Sequence, residues 1–321
     1  MTIPQGIAGF AGTTRLPRLV VAGLGLALLS AGCATEPSSA PSPSPSASEG
    51  VVRIASYDFS ENLILAEIYT QALRQAGIPV ELVPNLGTRE VIQPALEQGQ
   101  IDFVVDYLGS ALEAVDASNP AAHSSLGHAR AELQRVMADR GVTVLAAADA
   151  QDQNGFAVTR RTAQTLSSPT ISALSPTASS MVLGAPPECA DRPYCLQGLE
   201  SLYGLNFARL DVIDTRAATA TALQTGEIDV GLLETTDARL ADGRFVLLKD
   251  DMGLQPRENV IPLVRQPIVD EYGTKLTDAV AAVTSRLTTA VLVELNRRVE
   301  VDGRTPAEVA SEWLGSYSTE H

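Results

Sequence analysis

From residue 51 onward the apolar positions switch between two periods. VVRIAS at 51–56 is a short, largely apolar run that predicts a strand. Asp58 and Glu61 follow with the spacing of a helix cap. Leu65, Ile68, Tyr69, Ala72, Leu73 and Ala76 then form an apolar stripe at helical spacing that stops at Gly77. The pattern continues with a strand predicted at 80–83, a helix over 88–98 halted by Gly99, and a strand at 101–107. Strand–helix–strand repetition implies an α/β fold with mostly parallel sheets and right-handed crossovers. The stretch 161–180 is rich in Ser, Thr and Pro and predicts at most one short helix. A strand at 260–264 and a closing helical segment over 274–301 end the pattern.

The pattern also repeats itself. Thr88-Arg89 is followed by Ala95-Leu96, Gly99, Ile101-Asp102 and, five places on, Tyr107; Thr215-Arg216 is followed at identical intervals by Ala222-Leu223, Gly226, Ile228-Asp229 and Glu234. Helix–glycine–strand grammar is common to α/β proteins, but seven identical positions without a gap favour two related lobes. Tyr107 and Glu234 then fall at equivalent strand ends, where open α/β sheets bind ligands. Thr88 and Thr215 open the neighbouring helices, whose N–H groups and positive dipole ends face the same cleft. Such an architecture binds; it offers no evident acid–base or nucleophile–base pair.

The N-terminus has a different character. Residues 1–32 contain Arg15, Arg18 and no acid, followed by an apolar stretch over 19–29 and Ser30-Ala31-Gly32-Cys33, the arrangement of a secretory signal. Cys33 sits where a bacterial lipobox places its acylated cysteine, although Ser30 replaces the usual aliphatic residue; the alternative is an ordinary signal with a chance cysteine. Residues 33–50 continue as a Ser/Pro spacer that cannot bury a core. These features predict an extracytoplasmic body, lipid-anchored at Cys33, in an oxidising space. There a loop closed by a Cys189–Cys195 disulfide is the favoured reading. A metal site is the alternative, but no histidine stands nearby and two thiolates leave a tetrahedral shell unfilled. Across all 321 residues, 38 acidic against 23 basic side chains give a net charge of −15, which argues against nucleic-acid binding. No cofactor motif is present.

The blocks IASYDFSENLILAEIYTQAL, NLGTREVIQPALEQGQIDFVVDYLGSAL, GAPPECADRPYCLQGLESLYGL, TGEIDVGLLETTDARL and PRENVIPLVR together resemble the substrate-binding lipoproteins of glycine betaine/choline/carnitine (osmoprotectant) ABC importers, over about 51–321. The resemblance implies a two-lobed, periplasmic-binding-protein-like (Venus flytrap) fold with two hinge crossings: lobe I from 51–152 and 255–321, lobe II from 153–254. It also implies a monomer that delivers a small solute to permease subunits driven by a cytoplasmic ATPase. Family sites commonly hold a quaternary ammonium in a tyrosine cage, since ring faces attract a cation that has no hydrogen to donate.

Carried over position by position, the cage is altered. Tyr107 and the Ser110 hydroxyl match the family motif. Phe156 replaces a second tyrosine, Glu234 a third and Glu258 a fourth, Tyr57 stands where relatives often have lysine, and Arg192 matches an arginine that engages a ligand carboxylate. With Thr88 these are the candidate binding residues. Two glutamates in place of two tyrosines suit a cationic or zwitterionic solute that carries N–H or O–H donors. Structural readings stand beside these: Tyr107 and Phe156 as core packing, Tyr57 as a surface residue, Glu234 and Glu258 paired with Arg239 or Arg257, and Arg192 paired with Glu188. Competing functions are a ligand-sensing extracytoplasmic module and an enzyme that uses Glu234 and Glu258 as an acid–base pair, though no nucleophile or metal cluster accompanies them.

Overall fold

A computed structural model describes residues 50–116 and 120–316. The expected signal segment, Cys33 and the spacer up to residue 49 lie outside the described residues. Among the described residues ten strands are present: β1 (Val52–Tyr57), β2 (Val80–Gly87), β3 (Phe103–Tyr107), β4 (Val142–Val144), β5 (Asn154–Thr159), β6 (Val182–Ala185), β7 (Arg209–Val212), β8 (Val230–Glu234), β9 (Phe245–Leu248) and β10 (Val260–Arg265). The helices are α1 (Ser60–Gln75), α2 (Arg89–Glu97), α3 (Leu108–Val115), α4 (Leu126–Ala138), α5 (Arg160–Ala163), α6 (Leu196–Ser201), α7 (Arg216–Thr225), α8 (Gln266–Tyr272), α9 (Thr274–Thr284), α10 (Thr289–Glu300) and α11 (Pro306–Gly315).

The strands form two five-stranded sheets, β2-β1-β3-β10-β4 and β7-β6-β8-β5-β9. The two orders are the same topology written twice. In each sheet four strands run parallel and one, β10 or β5, runs antiparallel to both of its neighbours. That odd strand is the one reached by crossing from the other sheet: the chain passes from β4 to β5 and returns from β9 to β10.

The sequence echo has a structural basis. Gly99 and Gly226 stop α2 and α7 in left-handed backbone, with φ of 73° and 77°. Three residues later an aspartate ties the inner strand, β3 or β8, to its parallel neighbour, β1 or β6. Asp102 accepts from the Arg53 backbone N–H (3.0 Å) and Asp229 from the Val182 N–H (2.9 Å). Each aspartate's own N–H donates back, to the carbonyl of Arg53 and of Val182. The repeated residues are therefore those that set helix length and strand register.

The first sheet is covered on one face by α1, α9, α10 and α11, around Tyr69, Phe103, Leu276 and Leu292, and on the other by α2, α3 and α4, around Ile92, Leu108 and Leu133. In the second lobe α7 covers one face, and the Cys189–Cys195 disulfide lies in the core on the other.

Two local expectations need correction. The segment 274–301 is not one helix: it breaks after Thr284, the Thr288 side chain accepts from the Val291 N–H to start α10, and α9 and α10 meet at 84°. No single described helix is long and apolar enough to cross a membrane. Asp58 and Glu61 do not form a helix cap either. Phe59 is the N-cap residue, without a side-chain bond, and the Glu61 side chain is turned to other partners.

Candidate functional site

The carboxyl end of β3 brings Tyr107 to a cavity of about 440 Å³ lined from both lobes. Tyr107 is 6% exposed, and its hydroxyl donates to Glu61 Oε1 at 2.7 Å. Glu61, in the first turn of α1, also accepts from Asn296 Nδ2 of α10 at 2.7 Å. Burial pushes the Glu61 carboxyl up from its ordinary value, against hydrogen bonds from Tyr107 and Asn296 that favour the charged form. Phe59 stands over this group, 41% exposed, with its ring centroid 6.1 Å from that of Tyr107 and stacked at 5.9 Å on Tyr57.

Glu258 is held by the start of α3. The chain at 257–259 supplies acceptors to the first N–H groups of that helix: Leu108 donates to the Asn259 carbonyl, Gly109 to the Arg257 carbonyl (2.7 Å), and Ser110 to Glu258 Oε2 (3.1 Å). The Ser110 hydroxyl also donates to Glu258 Oε1 at 2.7 Å, so this carboxylate caps a helix in another part of the chain. Gly109 is required by the close approach, since a Cβ there would lie 2.9 Å from the Arg257 carbonyl oxygen. Burial raises the Glu258 carboxyl to about 7, the Ser110 bonds and Arg89 pulling the other way.

The facing wall comes from β8 and the crossover before β5. Glu234 pairs with Arg216 at 2.6 Å rather than with Arg239, which binds Asp237. Asp152 accepts from the Thr236 hydroxyl at 2.8 Å; burial, then Glu61 and Glu234, push its carboxyl well up. The disulfide closes the loop that carries Arg192 and Tyr194 to the cavity rim, and the Tyr194 ring lies 5.2 Å from that of His123. Arg192 is exposed and has no hydrogen bond or ion pair among the described residues, which do not include the Glu188 side chain.

Of the sequence candidates, Tyr107, Ser110, Arg192, Glu234 and Glu258 line one cavity. Three do not. Phe156 is 1% exposed in the second-lobe core, because β5 is an interior strand buried on both faces; Asn154, two residues earlier, reaches the cavity instead. Tyr57 lies behind the cleft, its hydroxyl donating to Asp106 at 2.8 Å and its ring between Phe59 and the Arg89 guanidinium. Thr88 points to solvent and donates to Glu90; its neighbour Arg89 lines the cavity and binds Asp106. Sequence reasoning missed Phe59, Glu61, Arg89, Asp152, Asn154 and Tyr194. Only Arg89 carried a signal, as the repeat partner of Arg216. Glu61 and Asp152 become site residues through packing that no spacing records.

Two α/β lobes of one topology, crossed twice by the chain and enclosing a polar and aromatic cavity at their strand ends, define a solute-binding protein of the periplasmic type. The particular family follows from comparison. Residues 50–316 match OpuAC, the substrate-binding domain of ABC-type glycine betaine transport systems, and the chain belongs to that family of extracytoplasmic solute-binding domains. It is 28% identical over 273 residues to a glycine-betaine-binding protein of Pseudomonas aeruginosa, covering 82% of this chain and 86% of that one. It is 24% identical to the glycine betaine-binding protein YehZ of Escherichia coli (82% and 89% covered). An ergothioneine transport permease/binding protein of Helicobacter pylori is also 24% identical, over 81% of this chain and 46% of its own length. In fold the chain is similar to a glycine betaine/carnitine/choline ABC transporter structure at a TM-score of 0.77 and to apo YehZ at 0.72, each covering 83% of this chain and 98% of the other.

Proposed function

We propose that the chain captures a small cationic or zwitterionic solute, of the betaine-type compatible solutes or a related amine, between lobes formed by 51–152 with 255–321 and by 153–254. It hands the solute to ABC permease subunits as a monomer anchored through Cys33, and it performs no catalysis. One observation carries the ligand's charge. Glu61, Asp152 and Glu258 face the cleft, and none has a Lys or Arg ion-pair partner among the described residues. Buried carboxylates without a cation are costly, and a ligand that brings the positive charge relieves that cost. The rings of Tyr107, Phe59 and Tyr194 add cation–π attraction of about 0.5–2 kcal/mol each. Arg192 is the group available to a ligand carboxylate.

Titration calorimetry with glycine betaine, choline, carnitine, neutral amino acids and simple amines tests this reading. Binding confined to cations and zwitterions is the expected result. Preference for anions or neutral sugars would refute it. Glu258→Ala and Glu234→Ala separate the two glutamates: the first is expected to weaken binding more, because Glu234 is already neutralised by Arg216.

A further inference from the structure

Arg89 lines the solute cavity together with Ser110 and Glu258, and it is held there by a fully committed acid. Asp106 is 3% exposed; its Oδ1 accepts from Arg89 Nη2 (2.5 Å) and the Tyr107 N–H (2.7 Å), and its Oδ2 from the Tyr57 hydroxyl (2.8 Å) and Arg89 Nε (3.4 Å). The guanidinium is thus gripped along its Nε–Nη2 edge, with its carbon 5.3 Å from the centre of the Tyr57 ring. Arginine carries five N–H groups in a planar fork. Asp106 takes two of them, and the other Nη2 hydrogen and both on Nη1 have no partner among the described residues. The side chain keeps 25% of its surface open, and Nη1 is not sealed from solvent.

The other basic or hydroxylic candidates for a ligand carboxylate are spent or unheld. Thr88 donates to Glu90 outside the cavity, and Tyr57, standing where relatives often have lysine, is bound to Asp106. Arg216, the repeat counterpart of Arg89, is closed on Glu234. Arg192 is free but exposed at the rim. Arg89 also borders a groove beside α2 and α3, but there Glu97 is taken by Arg140 at 2.7 Å and no acid pairs with Arg89 among the described residues. Glu258 is not paired with Arg89 either, yet lies close enough for the guanidinium to draw its carboxyl down against the effect of burial.

We propose that Arg89 is a second anchor for the solute's carboxylate and the one that sets specificity. The open edge of its guanidinium receives that group while the solute's cation rests on Glu258 and the Tyr107 ring. This rests on the cleft being the solute site. The ion pair with Asp106 offsets the charge of Arg89 but leaves its donors, so the cleft still favours a positive centre and adds a demand for an acceptor beside it. Because Asp106 and Tyr57 already fix the fork, binding orders no further side chain there. The solute that fits is a zwitterion.

Calorimetry with glycine betaine and choline tests the assignment, since both carry a trimethylammonium and they differ in carboxylate against hydroxyl. In the wild type glycine betaine is expected to bind about a hundredfold tighter, with Arg89 and Arg192 each contributing about tenfold. Arg89→Lys keeps a positive charge on Asp106 and loses the fork that serves two carboxylates at once; it is expected to cut the preference about tenfold. Arg192→Ala, at an exposed position, is expected to reduce the preference without abolishing it, a readout that does not depend on the Arg89 variant folding. An equal loss for both ligands in Arg89→Lys, an unchanged ratio there, or a preference wholly abolished by Arg192→Ala overturns the role of Arg89. Equal wild-type affinity for the two ligands overturns it too, and leaves the reading of the cleft as a cation site standing. Failure of both ligands to bind removes both.

Discussion

Replacing Glu258 by glutamine tests the electrostatics of the cleft without a ligand. Glutamine keeps one oxygen to accept from the Ser110 N–H and sets its NH2 against the Ser110 hydroxyl, which then accepts, so the cap on α3 survives and the charge is lost. In the wild type the carboxyl rises from an ordinary 4.5 to about 7, chiefly through burial. At 1.36 kcal/mol per unit of pKa, ionising it in the folded protein costs on the order of 3 kcal/mol. The sign follows from proton counting. Below pH 4.5 the group is protonated in both folded and unfolded chains and contributes nothing. Between 4.5 and about 7 the unfolded chain ionises first, so the folded state binds more protons and stability falls as pH rises. Above about 7 the full cost is present. Glu258→Gln is thus expected to gain on the wild type with rising pH, by roughly 6–12 °C in relative Tm between pH 4.5 and pH 8 for a body of this size. Asp152, whose carboxyl Glu258 helps to push up, is relieved by the same substitution, which adds to the gain at high pH. Thermal unfolding followed by circular dichroism at the two pH values measures it. A Tm difference that is independent of pH, or larger at acid pH, would refute the reasoning.

Tyr107→Phe keeps the ring and removes the donor to Glu61, so it is expected to cost about 1–3 kcal/mol in urea unfolding while changing cation affinity little. Gly109→Ala forces a Cβ to within 2.9 Å of the Arg257 carbonyl and the Pro256 side chain, prising α3 from the 257–259 segment; a loss of about 1–3 kcal/mol together with weaker solute binding is expected in paired denaturation and calorimetry. Arg192→Ala is expected to weaken binding of carboxylate-bearing solutes such as glycine betaine about tenfold and leave choline within about twofold, read as a ratio of dissociation constants.

The scaffold was legible in the sequence because its rules are local. A glycine that ends a helix, and an aspartate that ties strand to strand, act through the residues that carry them, and they recur at Gly99 and Gly226 and at Asp102 and Asp229. Strand ends were legible for the same reason, which is how Tyr107 and Glu234 were found. The carboxylates of Glu61 and Asp152 were not, since their roles come from packing between α1, β3, α10 and the crossover. The helical spacing that marks the α1 stripe does not say where its first turn points. Phe156 shows the opposite failure: alignment with a cage tyrosine ignores that β5 is paired on both edges and covered on both faces.

One repeated arginine explains why the two lobes present different chemistry from one template. Arg89 and Arg216 occupy the same place, at the start of the helix that packs beside the inner strand. In the first lobe the residue before the strand end is Asp106; it takes Arg89 at 2.5 Å and leaves Tyr107 to bond Glu61. In the second lobe that position is Leu233, so Arg216 has no such acid and closes on Glu234 itself. Glu234 is therefore internally neutralised, and the carboxyls that the proposed site leaves for a cationic ligand are Glu61, Asp152 and Glu258, none of which belongs to the repeat. The duplicated frame sets where the two walls stand; the carboxyls on which the proposed preference for a cation rests come from the unrepeated start of α1 and from the two crossovers.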